Sequence, residues 1–322
     1  MNARLEKFDG AFLLLLAVAA AFVPFVLSGY EIKLATTITI QAGLAVALGF
    51  VVGPAGLTSV GHAAFYGVAA YILAMMSPKS GPADMLLTAA IAIFGAAAFA
   101  LVVGAVSIRS RGMYFILMTI AFGQLGYHLF NDTGIGGKSD GSYVQFRPEL
   151  HLFWTDVSFD KAPRFYMLVY VVVFLVVGAC WWLRRSAFGS VLLAARDNEA
   201  RTRAFGFSPY VVRLIAFVIS GGMAGAMGYL TAAQHGFVAP QMLAWHASAF
   251  ALVMVLIGGK DTTSGPAIGA ILLLLAEEIL QRWTEHWLVG VGLIIVVAVI
   301  AAPRGLVPFV AGLFAPKQAH HG

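Results

Sequence analysis

Long apolar runs follow one another along this chain: Ala11–Leu27, Leu34–Val52, Ala63–Met76, Leu86–Val106, Gly112–Phe130, Phe165–Leu183, Pro209–Leu230, Ala247–Ile257, Pro266–Leu280 and Trp287–Ala302. A helix rises about 1.5 Å per residue and bilayer hydrocarbon is about 30 Å thick, so about 20 apolar residues span it. Of 322 residues, 60% are hydrophobic and only 11% charged. Soluble domains carry about 25% charged residues, so these charges are too few to coat a soluble particle. The runs predict an all-α polytopic membrane protein with about ten transmembrane helices, as one transmembrane domain over residues 1–322. Ala63–Met76 and Ala247–Ile257 are short, so some helices are expected to be short or broken, which a membrane tolerates where protein or a watery cavity satisfies the backbone. Soluble enzymes, disordered chains and nucleic-acid-binding domains are excluded. The single cysteine, Cys180, excludes an intrachain disulfide and a Cys-rich metal centre.

Loop charge sets the orientation, because cytoplasmic loops collect Lys and Arg. The segment 184–208 carries Arg184, Arg185, Arg196, Arg201 and Arg203 against Asp197 and Glu199, a net of +3. A short loop adds Arg109 and Arg111. The long loop 131–164 carries four basic residues, Lys138, Arg147, Lys161 and Arg164, and five acidic ones, a net of −1. The first two are expected in the cytoplasm and the third outside, with both termini cytoplasmic; Arg304 and Lys317 agree. The first run is read as a span rather than a cleaved signal peptide, since Glu6 and Asp9 balance Arg4 and Lys7 and no small-x-small site clearly precedes Tyr30.

The external loop concentrates turn chemistry at 133–141, and loops of this length are either functional or plain connectors. In the cytoplasmic segment, Phe188, Val191, Leu192 and Ala195 recur at helical spacing, followed by alternating charges. One short amphipathic helix is expected there, ending at Gly206 before Ser208-Pro209 opens the next span. Its arginines could rest on lipid phosphates or dock a cytoplasmic protein; mixed charge favours the protein.

Polar residues at bilayer depth are candidate pathway residues because their burial is costly. They are Gln41, His62, Tyr114, Thr119 and Gln124. For His62 the alternative is a helix-start histidine bonded to neighbouring backbone. Glu277 and Glu278, near Arg282, read as an interfacial pair reaching water. Residues 221–228 carry small-xxx-small spacings for close helix packing. Gly53, Thr58 and Ser59 recur at the spacing of Gly258, Thr263 and Ser264, an echo too slight to establish a repeat. No residue pattern supports a catalytic or metal site. A GxxxxGK[ST] phosphate loop is absent: its nearest lookalike, Gly258-Gly-Lys-Asp261, ends in Asp where Ser or Thr is required.

Four stretches carry a family resemblance: Gly56-Leu-Thr-Ser-Val-Gly-His-Ala-Ala-Phe-Tyr-Gly67, Arg111-Gly-Met-Tyr-Phe-Ile-Leu-Met-Thr-Ile-Ala-Phe122, residues 188–206, and Gly258-Gly-Lys-Asp-Thr-Thr-Ser-Gly-Pro-Ala-Ile-Gly269. In order and spacing they resemble LivM-type permease subunits of branched-chain amino-acid ABC importers. The resemblance implies a bacterial inner-membrane permease subunit that pairs with a LivH-type permease subunit, two cytoplasmic ABC ATPase subunits and a periplasmic substrate-binding protein. It implies inward amino-acid transport by alternating access, with no cofactor in this chain and ATP–Mg in the partner ATPases. It maps the ATPase-coupling region onto Ala195, Arg196, Asp197, Asn198, Glu199, Arg201, Arg203 and Gly206. Two features depart from the family pattern: Lys138 inside Gly136-Gly-Lys-Ser-Asp-Gly141, and Glu277-Glu278 in the ninth run. The substrate stays open among branched-chain amino acids, urea, amides and aromatic acids. The competing class is an ion-coupled secondary transporter or channel acting without an ATPase.

Overall fold

The computed structural model describes residues 3–78, 80–110, 112–152 and 155–313. Arg111 and Lys317 lie outside the described residues, as do the side chains of Arg4, Glu6 and Lys7. All ten apolar runs are helical: α1 (Ala3–Val26), α2 (Tyr30–Val52), α3 (His62–Met76), α4 (Met85–Ser107), α5 (Met113–Asp132), α6 (Ala162–Arg185), α9 (Pro209–His235), α10 (Trp245–Gly258), α11 (Ser264–Trp283) and α12 (Trp287–Ala301). Between α6 and α9 lie α7 (Ala187–Asp197) and α8 (Glu199–Ala204), and α13 (Leu306–Leu313) follows α12. Seven helices among the described residues are long and apolar enough to cross a membrane, or eight if α12 and α13, bent by 41°, form one broken span. The other two runs, α3 and α10, are shorter apolar helices. The chain is a multi-pass, all-α membrane protein.

Each short helix adjoins a stretch of irregular backbone. The 15 residues of α3 reach only about 22 Å. Before it runs the irregular stretch 53–61, most of it buried. Irregular backbone at this depth survives only where protein covers it. The link 259–263 between α10 and α11 is the second such break. The two sequence segments that echo each other both fall at these breaks, and the breaks touch: a Cβ on Gly53 would lie 2.2 Å from the Lys260 carbonyl oxygen.

Small residues let the central helices approach. Ala92, Ala96 and Ala100 form a fully buried stripe on α4. A Cβ on Gly221 or Gly225 of α9 would meet the Ala100 or Ala96 methyl at 2.3 or 2.4 Å. One on Gly228 would lie 1.8 Å from the Tyr66 carbonyl oxygen of α3. The 221/225 spacing read from the sequence therefore faces α4, and Gly228 faces α3. By contrast, α1 is peripheral, with 6% of its span buried, and polar contacts pin it. Pro24 has no N–H to give the Ala20 carbonyl four residues back, and the Tyr166 hydroxyl of α6 donates to that oxygen at 2.8 Å. Tyr170 donates to the Ala17 carbonyl at 3.1 Å.

The helix ends separate into two poles. One gathers both breaks, α7, α8 and the start of α1. The other gathers the long loop, which spans residues 133–161 because α5 and α6 extend into the ends assigned to it from the sequence. This loop holds a 3-10 turn (Lys138–Asp140) and short strands β1 (Ser142–Tyr143), β2 (Leu150–Leu152) and β3 (Thr155–Val157). Antiparallel pairing joins β2 to β3, and β1 to β4 (Phe237–Val238) beyond α9.

Candidate functional site

The arginine-rich segment is built from its caps outward. Ser186 opens α7, its hydroxyl accepting from the Gly189 N–H at 3.4 Å. Leu192 and Ala195 are fully buried, and Phe188 packs on the core, so the apolar stripe read at helical spacing is the stripe that docks. The expected single helix is in fact two. Asn198, extended at φ −154° and ψ 99°, ends α7 and starts α8, and its side chain accepts from the Arg201 N–H at 2.9 Å. Asparagine competes with the helix by capping the next one. Gly206 closes α8 at φ +84°. Its N–H reaches the Arg203 carbonyl and that of Phe207 the Thr202 carbonyl, at 2.9 and 3.3 Å, a Schellman closure that favours glycine. Pro209 opens α9 as expected, but no Ser208 side-chain cap is made.

The eight residues grouped as ATPase-coupling do not all face outward. Ala195 is buried. Glu199 is tied inward to Arg213 of α9 at 2.6 Å and reaches Arg203 at 3.3 Å. Arg213 also holds the Ala195 carbonyl at 2.9 Å, a cation on the last carbonyls of α7, where the helix dipole favours it. Arg196 turns inward as well, to the Gly53 carbonyl and Asp261. Asp197, Arg201 and Arg203 remain exposed. Arg184 and Arg185, counted with this loop from the sequence, belong to the last turn of α6.

At the same pole Asp9 of α1 is buried and caps α11. Its carboxylate accepts from Thr263 N, Ser264 N and Ser264 Oγ. Arg184 donates to the Lys260 and Asp261 carbonyls. Sequence reading missed Asp9, Arg184, Asp261 and Arg213 as site residues. Thr263-Ser264-Gly-Pro266 does carry a helix-start signature, but its partner lies about 255 residues away.

Of the five candidate pathway residues, Thr119 meets the chain beside His62 at the start of α3. Three hold helices together. His62 is fully buried, with Nδ1 2.9 Å from Ser59 Oγ and Nε2 2.9 Å from Ser220 Oγ. Ser220 donates to the Ala47 carbonyl at 2.6 Å, so it must accept from Nε2–H. The Gly61 N–H donates to Ser59 Oγ at 3.3 Å, leaving the Ser59 hydrogen for Nδ1. The network thus assigns the Nε2–H tautomer, with Phe65 and Phe217 edge-on to the ring. The bonds run to side chains rather than to the neighbouring backbone expected of a helix-start histidine. Thr119, fully buried, accepts from Val60 N at 3.2 Å and donates to the Ile116 carbonyl at 2.8 Å. Gln41 lies beside the Tyr66 hydroxyl, as does Thr231. Tyr114 and Gln124, in contrast, lie towards the outside of α5, with Tyr114 74% exposed and Gln124 half-buried.

At the opposite pole Arg147 staples the long loop. It donates to the Ala233 and Gln234 carbonyls at the end of α9 and to those of Phe159 and Asp160, with Phe165 under its guanidinium at 4.8 Å. Burial lowers its pKa, and Asp160 opposes that shift. Lys138 is the one non-glycine at positive φ among the described residues. Glu278 accepts from Tyr30 and Arg282, both at 2.9 Å, and Glu277 from Gln281 at 3.2 Å.

Comparison with known proteins places these features. Residues 31–300 match the family described as the permease component of branched-chain amino acid transport systems. The chain is 31% identical to the high-affinity branched-chain amino acid transport system permease protein LivM of Escherichia coli K12, covering 92% of this chain and 74% of that protein. Its identity to the protein of the same name from Salmonella typhimurium is 30%, with the same coverage. The autoinducer 2 import system permease protein LsrC of Yersinia pseudotuberculosis YPIII is 27% identical over 65% of this chain and 62% of its own length. No solved structure matches. With the match running from the second helix to the twelfth, and through both breaks and the arginine-rich segment, the chain belongs to the family of branched-chain amino acid transport system permease components.

Proposed function

We propose that this permease subunit works in an ABC importer of the bacterial inner membrane, moving branched-chain or related amino acids inward by alternating access. In this reading the chain lies as one domain with ten spans and both termini in the cytoplasm. It pairs with a LivH-type permease, two ATPases that bind ATP–Mg, and a periplasmic binding protein that selects the substrate. The names of the Escherichia coli and Yersinia relatives, one an amino-acid permease and the other an autoinducer 2 permease, fit a scaffold that accepts different cargo. Gln41, His62 and Thr119 act as joints in this reading, and the pathway runs along the outer face of α5, past Tyr114 and Gln124, against the second permease subunit.

One observation carries the proposal. The α7–α8 unit is fastened to the membrane helices by Leu192, Ala195, Glu199 and Arg213, yet presents Asp197, Arg201 and Arg203 to the solvent. A firmly backed, charged protrusion is what a cytoplasmic motor needs to push on. Single exposed charges contribute only about 0–1 kcal/mol, so the test is a double reversal, Arg201→Glu with Arg203→Glu. It should abolish ATPase pull-down while insertion stays normal, because like charges across an interface cost several kcal/mol. Full ATPase retention would leave lipid phosphates as the partner of this segment.

A further inference from the structure

Arg196 reaches both interruptions in the membrane helices at once. Its Nη1 donates to the Gly53 carbonyl, where α2 ends, at 2.7 Å, and lies 3.5 Å from Asp261 Oδ1 in the α10–α11 link. Its stem crosses Gly56, which sits at φ +67°, and a Cβ there would come within 2.9 Å of Arg196 Cγ. From α6, Arg184 grips the same link through the Lys260 and Asp261 carbonyls at 3.4 and 2.5 Å. The side chain of Arg196 is about one-third exposed, against 74% for Asp197 and 63% for Arg203. Arg196 therefore reaches into the protein, as Ala195 and Glu199 do, whereas Asp197, Arg201 and Arg203 stay at the surface.

We propose that Arg196 is a positioning residue that carries the movement of α7 into the two helix breaks, and is not a contact for the ATPase. The inference rests on the coupling role proposed above for α7–α8. Charge-assisted hydrogen bonds are short and directional, so a shift of α7 by an ångström or two must either break them or draw the breaks along. The breaks can follow. Residues 53–61 and 259–263 lie outside the helical ladder, whereas the helices on either side are close-packed and move as bodies. The guanidinium suits this because it keeps its charge at any physiological pH while its Nη1 faces the Gly53 carbonyl and the Asp261 carboxylate together.

The experiment uses the assembled transporter in proteoliposomes, with the binding protein and radiolabelled leucine. Arg196→Ala removes the link, and Gly56→Ala displaces the Arg196 stem with every residue of α7 and α8 left as it is. Both should keep their ATPases at wild-type ratio and hydrolyse ATP within twofold of wild type. Uptake per ATP hydrolysed should fall at least tenfold, a ratio that does not depend on how much protein folds. A second measurement needs no cargo: spin labels at Ala194 and Lys260, both exposed, in a Cys180→Ser background. Their separation should stay constant through the nucleotide cycle in the wild-type chain and change with nucleotide in either variant. ATPase loss in Arg196→Ala, an uptake ratio within twofold of wild type, or a label separation indifferent to the variants overturns the proposal. Failure of the coupling reading itself would show differently, as full ATPase retention by the Arg201→Glu, Arg203→Glu chain.

Discussion

Removing the Asp9 carboxylate should free both α1 and the start of α11. Its Oδ1 accepts from Ser264 N at 2.8 Å and Ser264 Oγ at 2.6 Å, and both oxygens lie 3.1 Å from Thr263 N. Asp9 is 8% exposed, so water does not readily replace it. Asp9→Ala strands two main-chain N–H groups. A buried donor left unmade costs about 1–3 kcal/mol, and loss of the anion at the helix start adds about 0.3–1 kcal/mol. The hydroxyl can turn to another acceptor, so we expect a loss of about 3 kcal/mol. Asp9→Asn keeps one acceptor oxygen without the charge, and charged hydrogen bonds are about twice as strong as neutral ones; we expect about 1–2 kcal/mol. The assay is unfolding in mixed detergent micelles followed by tryptophan fluorescence, with the accessibility of a thiol introduced at Leu16, which packs on the core, reporting release of α1. A loss under about 0.5 kcal/mol for Asp9→Ala, or equal losses for Ala and Asn, would refute the capping argument.

Three further outcomes follow from the packing and the charges. Tyr166→Phe leaves the Ala20 carbonyl, already without its helical donor because of Pro24, unbonded; the same unfolding assay should show a loss of about 1–2 kcal/mol. Gly228→Val drives a β-branched side chain into the Tyr66 carbonyl and should cost about 3 kcal/mol, the upper end of overpacking costs, read as loss of folded protein in detergent, whereas Gly178→Ala, with open space around it, should be silent. Reporters fused after Asp156 and after Asn198 should read outside and cytoplasm respectively, and the same side for both would remove the topology.

The helices were legible because bilayer thickness imposes a length and polarity on each of them, and all ten runs are helical. Helix ends were less so: α9 runs on to His235 because Thr231, Gln234 and their neighbours pack on protein, not lipid. The break at Asn198 was hidden because a charged run with alanines reads as continuous helix, and only the side-chain cap decides otherwise. The contacts of Arg196 were hidden for a related reason. It follows buried Ala195 by one position, about 100° round the helix, which reads as solvent-facing, yet its long side chain bends back to two loops distant in sequence. His62 and Thr119 were found as buried polar residues and Gln41 as a half-buried one, but the groups beside them, Ser220, Val60 and Tyr66, are not near them in sequence. Asp9 looked like a flanking charge and is instead part of the helix packing.

Transport driven by separate ATPases tests the central claim most directly. The chain is reconstituted with a LivH-type permease subunit and a binding protein, with and without ATPase subunits, and leucine uptake is measured with ATP on the ATPase side or with an imposed proton or sodium gradient. Uptake that requires both the ATPases and ATP, and that ignores the ion gradients, is the predicted result. Gradient-driven uptake by the permease subunits alone would contradict it.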